Sequence, residues 1–332
     1  GSLLYLYGSA PVTQTRWVRV NGVDAAYDRF TGLWSYATPL SPQSQAISVQ
    51  VLDKLLAPVA TESFSVTRVT TVGGSVSEDA VWTSARSPYL VTGSVSVPSG
   101  VRLTIEPGCR FLISEGVGFD IGGEIQALGT AAKPIVFTSV PCHANWGWFN
   151  FHTRGANRLE RCELSRSTAT AGCLTVSSSN LEIEGCHIHD ITGEGVSASG
   201  STVTIRNTVV ERTAECLSLD YGLTTVEYCT LRNGIGKADL CDANGSNNPP
   251  ARIAFNTMYG TSDDAIDADK GSVYAEGNII HDCGDQGISL VGTPGNSTVY
   301  RNIVYRNNIG LAVKDSHVAL ADFNTFAYNR SI

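Results

Sequence analysis

Eight positions recur down the C-terminal half of this chain: Cys162, Cys186, Asn207, Cys229, Asn256, Asn278, Asn302 and Asn324. Their spacings are 24, 21, 22, 27, 22, 24 and 22 residues. Two places after each stands an apolar residue: Leu164, Ile188, Val209, Leu231, Met258, Ile280, Val304 or Phe326. A second apolar pair follows in most coils, including Leu174/Val176, Val196/Ala198, Leu217/Leu219, Ile266/Ala268, Ile288/Leu290 and Leu311/Val313. A period near 22 with inward and outward residues alternating fits a solenoid coil of three short strands, stacked about 4.8 Å apart. An Asn at an interior corner can then bond its neighbours one coil away. Cys162 and Cys186, in adjacent coils, are read as buried thiols packing as small apolar groups, with a disulfide as the alternative.

Composition agrees with many short strands and tight turns. The 332 residues include 33 glycines, 42% are apolar and only 16% are charged. The net charge of -8 would repel a phosphate backbone, which excludes nucleic acid as a partner. No stretch approaches the roughly 20 apolar residues of a membrane span, so no membrane insertion is expected. The opening "GSLLYLYGSAP" is too short for a signal peptide, and Gly1-Ser2 reads as a cloning scar, so a mature piece of a longer protein is expected. Nine cysteines without a CxxC pair argue against a zinc ribbon or a thioredoxin-like centre.

The first 70 residues alternate in short apolar runs separated by turn residues, the pattern of a small β-sandwich. "RWVRVNGVDAAYD…GLWSYATPLSPQSQAISVQVLD" resembles the immunoglobulin-like modules of bacterial extracellular enzymes and surface proteins. "VRLTIEPGCRFLISEGVGFDIGGEIQALGTAAKPIVFTS" resembles the opening coils of right-handed parallel β-helix proteins of the pectin-lyase-like class. The expected fold is therefore all-β. An immunoglobulin-like sandwich covers 1–72, a connecting or capping segment 73–100, and a right-handed parallel β-helix of about eleven coils 101–332. Such proteins are extracellular or exposed at the cell surface, and that location is implied here.

With Val196, Leu217, Ile266, Ile288 and Leu311 inward, the intervening residues face outward. One outward column is expected to read Ser199, Asp220, Asp242, Asp269, Val291, Lys314. Beside it run Ser197, Ser218, Asp267, Ser289 and Ala312, with the register ambiguous at "KADLCDAN". Glu194, Glu215, Asp264 and Gln286 stand in the turn before the strand, with Asp263 and Asp285 adjacent. Polar turns need no function. Crowded carboxylates, however, raise one another's pKa or recruit a cation, and oxygen ligands favour Ca²⁺. The expected Ca²⁺ set is Asp242, Asp264, Asp267 and Asp269.

"KAD", "SDDAID", "GDQGISL" and "LAVK" resemble the coil motifs of polygalacturonase-type glycoside hydrolases. That resemblance would make Asp239, Asp263, Asp264 and Lys314 catalytic, the carboxyls acting in an inverting mechanism at about 6.5–9.5 Å separation. The family's histidine and arginine are Gln286 and Ala312 here, which removes an acid/base partner and a substrate clamp. Lyase chemistry wants a basic residue. Lys237 and Arg232 are read as isolated, solvated charges.

A further outward column is expected to run Ser165, His189, Val210, Arg232, Tyr259, His281, Tyr305. Tyr259, His281 and Tyr305, with Arg232, form the expected carbohydrate platform, against the plain alternative of cross-strand fillers. The insertions at 243–251 and 292–298 are expected to overhang the acidic stripe, and the aromatic segment 142–152 to pack in the core. The chain ends on an uncapped coil, which would permit end-to-end self-association. The sequence thus points to an extracellular structural or adhesive β-helix that binds a polysaccharide or cell-envelope component without catalysis. A polysaccharide hydrolase or lyase using the aspartates is the alternative.

Overall fold

The computed structural model describes all residues except 1–2, 40–44, 67, 141–144, 237, 246–248, 293–295, 316 and 332. Cys142 and Lys237 therefore lie outside the described residues. Regular structure is β-strand throughout, apart from one three-residue 3-10 turn at Ser84–Arg86. The chain divides into two units, Gly1–Val69 and Thr70–Ile332.

The first unit holds two antiparallel sheets. Leu3–Ser9, Leu33–Pro39 and Ala26–Tyr27 form one; Val23–Asp24, Trp17–Val20, Gln45–Leu52 and Pro58–Val66 form the other. Alternation along the central strands buries Val18, Val20, Ile47, Val49 and Val51, against which Leu4, Leu6, Trp34 and Tyr36 pack. Each sheet supplies one wall of this small core, which is the layout of a sandwich.

The second unit is a parallel solenoid. One coil shows the plan: His187–His189 lies in the first sheet, Glu194–Ser199 in the second and Thr202–Arg206 in the third. Strands of successive coils pair in parallel, and the third sheet is 11-stranded, from Ala80–Trp82 to Val318–Asp322. Thr70–Ser75 and Tyr89–Val97 already pair in this register. Parallel coil pairing thus starts at Thr70 and runs through the segment read from sequence as a connector at 73–100.

Early coils are filled by rings. Tyr89, Phe111 and Phe137 stack at 5.1 and 4.7 Å, and Phe119 lies 4.4 Å from Phe149. A fully buried ring of this kind contributes about 2–3 kcal/mol. Trp146, Phe149 and Phe151 are fully buried, and the Trp146 indole donates to the Ser165 carbonyl at 2.7 Å. Within the described part of the aromatic segment, 145–152, Trp146, Gly147, Phe149 and Phe151 are buried, while Trp148 and His152 are exposed. Later coils use Ile, Leu, Val, Ala and Cys. All eight described cysteines are free and buried, so Cys162 and Cys186 form no disulfide. Burial pushes the thiols of Cys173, Cys216, Cys229 and Cys283 up to about 12.

A residue at positive φ turns the corner between third and first sheets in coil after coil: Arg161, Gly185, Asn207, Tyr228, Phe255, Gly277, Arg301 and Phe323. The next residue enters the interior. Asn256, Asn278, Asn302 and Asn324 do so as an amide ladder, each accepting the previous ladder residue's backbone N–H at 2.8–3.0 Å. The expected ladder residue Asn207 is displaced. It takes the corner (φ 50) and donates outward to Glu184, while Thr208 enters and its hydroxyl accepts the Cys186 N–H at 3.2 Å. That one-residue shift reverses the facing of the strand. Val210 is core, not Val209, and Glu211 takes the outward place expected for Val210.

An inner column of the third sheet places Thr224 next to Val203, and the Thr224 hydroxyl is buried without a partner among the described residues. A buried orphan hydroxyl costs about 1–3 kcal/mol. Thr224→Val is therefore expected to raise the urea-unfolding free energy by about 1 kcal/mol. A neutral or negative change would show that the hydroxyl is satisfied.

Candidate functional site

The second sheet carries the carboxyl groups. The pairings Glu194↔Glu215, Leu217↔Cys241, Cys241↔Ile266 and Ile266↔Ile288 put Glu194, Glu215, Asp239, Asp264 and Gln286 in one column. Each later member grips the coil before it: the Asp264 N–H donates to Asp239 Oδ1 at 2.9 Å, and the Gln286 N–H to Asp264 Oδ1 at 2.5 Å. The Lys314 ammonium donates to Gln286 Oε1 at 2.8 Å.

Asp242 stands one column further in than the sequence suggested. Cys241 pairs with Leu217, so Asp242 follows Ser218 and precedes Asp267. Asn244 takes the place between Asp220 and Asp269, donating to Asp242 Oδ2 at 2.7 Å and accepting the Asp269 N–H at 2.9 Å. The expected row of three consecutive aspartates is thus interrupted by an amide.

This crowd titrates abnormally. Burial, with Asp242, Glu194, Asp239 and Asp220 nearby, pushes the Glu215 carboxyl up to about 9. Burial and Asp267 bring Asp242 to about 7. Burial raises Asp264 to about 7 and Asp239 to about 6, although each accepts a backbone N–H. Glu194, Asp220 and Asp267 are raised too, mainly by burial. One oxygen on each of Glu194, Glu215, Asp220, Asp242 and Asp267 is buried without a protein donor among the described residues. Protons held on the carboxyls themselves can satisfy such atoms, which matches the raised pKa values.

Asp239, Asp263 and Asp264 bring carboxylate oxygens within 4.8 Å of one another. Of the four aspartates expected to share Ca²⁺, only Asp264 belongs to this set; Asp242 and Asp267 lie along the strand, and Asp269 is exposed at its end. Of the four residues that the hydrolase resemblance would make catalytic, three converge. Lys314 is two coils on, its ammonium engaged by Gln286.

The first sheet carries a second column: His189, Glu211, Arg232, Tyr259, His281, Tyr305. Glu211, which the slipped register concealed, is nearly buried. It accepts from His187 at 3.0 Å, Arg232 at 2.7 Å and Arg212 at 2.7 Å. Burial alone would raise its carboxyl, but these three donors prevail and hold it at about 2. Arg232 is accordingly no isolated charge, since it also donates to the Tyr259 hydroxyl at 3.0 Å. Tyr259, His281 and Tyr305 stack at 4.8 Å intervals, with interplanar angles of 7° and 21°. Arg306 lies 5.0 Å over the Tyr305 ring. The rings spend their faces on one another and turn their edges outward, so a sugar would meet hydroxyl and imidazole tips rather than a π surface.

One motif recurs on this sheet. His189 Nδ1 lies 2.6 Å from Asp190, which Arg212 binds at 2.6 and 3.1 Å. His281 Nδ1 lies 2.6 Å from Asp282, which Arg306 binds at 2.9 and 2.5 Å. Of the insertions expected to overhang the acidic stripe, residues 246–248 and 293–295 lie outside the described residues. Within 243–251, Asn244 bonds Asp242 in the stripe, while Pro249 and Pro250 line the third sheet beside Leu223, Arg252 and Tyr274.

Residues 145–250 match the family model described as "Right handed beta helix region". Coils on both sides of that segment continue its three-sheet register. The second unit has the right-handed parallel β-helix fold. Over 89 residues the chain is 37% identical to Protein bark beetle of Drosophila melanogaster, a match spanning 27% of this chain and 3% of that protein. Among solved structures it is similar to the A-module of the mannuronan C-5 epimerase AlgE4 of Azotobacter vinelandii, at 10% identity and TM-score 0.35 over 79% of this chain and 88% of that one. It is also similar to an alginate lyase from Paenibacillus sp. str. FPU-7, at 17% identity and TM-score 0.25 over 72% and 97% of the two chains. No helix among the described residues is long and apolar enough to cross a membrane.

Proposed function

We propose that this chain is a rigid extracellular β-helix element that binds polysaccharide along its second sheet without catalysis. The carboxyl column carries the reading: acidic groups stand on successive rungs, Glu215, Asp239 and Asp242 partly exposed and Asp264 buried, and several hold protons near neutral pH. A protonated carboxyl donates to a sugar oxygen, and an ionised one accepts from a sugar hydroxyl. Rung spacing repeats that exchange along a polymer. Gln286 and Ala312 supply neither a titrating group nor a cation, and Lys314 is spent on Gln286.

The convergence of Asp239, Asp263 and Asp264 favours a second reading, acid–base cleavage of a glycosidic bond. Affinity electrophoresis against acidic and neutral polysaccharides, with reducing-end and unsaturated-uronate assays from pH 5 to 8, separates the two. Retardation without turnover is expected, with affinity at least fivefold weaker in Asp264→Asn. Turnover that Asp264→Asn abolishes would overturn the non-catalytic reading.

A further inference from the structure

The outer face of the third sheet carries a trough that neither the carboxyl column nor the ring ladder uses. Two concavities of about 560 and 470 Å³ share Thr202 and Thr204. The column from Gln126 through Thr204 and Thr225 to Tyr274 joins them by six successive pairings, hence seven rungs. At about 4.8 Å per rung the trough is about 29 Å long. Its wall is Pro249–Pro250, from the coil with the longest spacing, 27 residues between Cys229 and Asn256.

The chemistry of the lining is specific. Its cations are already matched: Arg158 with Glu160 and Glu182, Arg206 with Glu227, Arg252 with Glu227 and Glu276. The hydroxyls of Thr202, Thr204 and Thr225 take no partner among the described residues. Leu223, 49% exposed, and the two prolines add apolar surface, and Tyr274 carries the Arg252 guanidinium 5.3 Å from its ring. Strands within this sheet pair with a neighbour on each side, so no backbone edge is open to an added peptide strand here. A ligand must be read by side chains alone, through hydroxyl contacts and apolar patches, without surplus charge.

We propose that this trough binds a linear, uncharged polysaccharide lying along the solenoid axis. A pyranose chain presents an apolar C–H face and a rim of hydroxyls, which match Leu223 with the prolines and the threonine row. A polyuronate has no spare cation to meet here. The site stands apart from the second-sheet reading, and either can fail alone.

The test is affinity electrophoresis of the whole chain in gels containing a soluble β-glucan, a galactomannan or polygalacturonate. The variants are Leu223→Asp, Thr204→Tyr and Asp264→Asn, each checked by thermal melting for an unchanged fold. At least one neutral polymer is expected to retard the protein, with affinity at least tenfold weaker in Leu223→Asp and Thr204→Tyr. Failure of both neutral polymers to retard the protein overturns the proposal, whatever polygalacturonate does. So does neutral-polymer binding that is lost in Asp264→Asn but kept in the two trough variants, which would locate it on the second sheet.

Discussion

Asn278→Ala is expected to destabilise the solenoid by about 3–6 kcal/mol. The Asn278 amide is wholly buried and makes four bonds. It accepts from the backbone and side chain of Asn256, both at 3.0 Å, and donates to the Ile253 carbonyl at 2.8 Å and to Asn302 at 2.9 Å. Alanine strands the Asn256 N–H and removes one donor each from the Ile253 carbonyl and from Asn302, at about 1–3 kcal/mol each. Asn324→Ala should cost less, because that residue is only partly buried. Asn278→Cys should also cost less, because the thiol of Cys186 accepts the Cys162 N–H at a ladder position, at 3.4 Å. Urea denaturation measures all three. A loss below 1 kcal/mol for Asn278→Ala would mean that apolar packing alone holds these coils in register.

Raising the pH from 5 to 9 is expected to weaken the fold by about 3–5 kcal/mol, after allowing for partial exposure of the groups concerned. Glu215, Asp242, Asp264 and Asp239 have folded-state values of about 9, 7, 7 and 6, all above their ordinary values. The folded chain therefore binds more protons than the unfolded chain over this range. The stabilisation is complete below about pH 4 and is lost as pH rises through 6, 7 and 9. Lowered groups act in the opposite sense at the acid end. Glu211, at about 2, and Asp190, lowered chiefly by Arg212, contribute stability above the ordinary carboxylate range and lose it in stronger acid. A maximum between about pH 4 and 6 follows, and Glu215→Gln should flatten the alkaline side. A melting temperature that stays level from pH 5 to 9 would refute the shared-proton account of the second sheet.

The coil repeat was legible because interior amides and apolar pairs recur at a nearly constant interval, and packing leaves few alternatives. Register within a coil was harder to read wherever two neighbours suit the same slot. In "RNTVVE" either Asn207 or Thr208 can bond inside a corner, and Val209 and Val210 are equally apolar, so Glu211 was hidden. In "KADLCDAN" both Leu240 and Cys241 are buried, and Asp242 was consequently assigned one column off. Longer loops carry no period, so the swing of Pro249–Pro250 toward the third sheet depends on contacts that no local pattern encodes. The outward aromatics and their stacking over three coils were placed correctly. That their faces meet one another, and are not offered to a sugar, was not foreseen, because sequence spacing says which rings are adjacent and nothing of where their faces turn.

The positive-φ corners have a consequence for how this surface can change over time. Arg161, Asn207, Tyr228, Phe255, Arg301 and Phe323 hold equivalent places, yet share neither size nor charge. For an L-residue that backbone conformation costs about 1–2 kcal/mol, less for Asn and more for β-branched side chains, and no β-branched residue stands at these corners. Mutation can therefore exchange one corner residue for another at nearly constant stability, so long as the interior neighbour is kept. A file of exchangeable side chains along a fixed scaffold lets such a lineage switch ligands by drift at the corners while its core stays still.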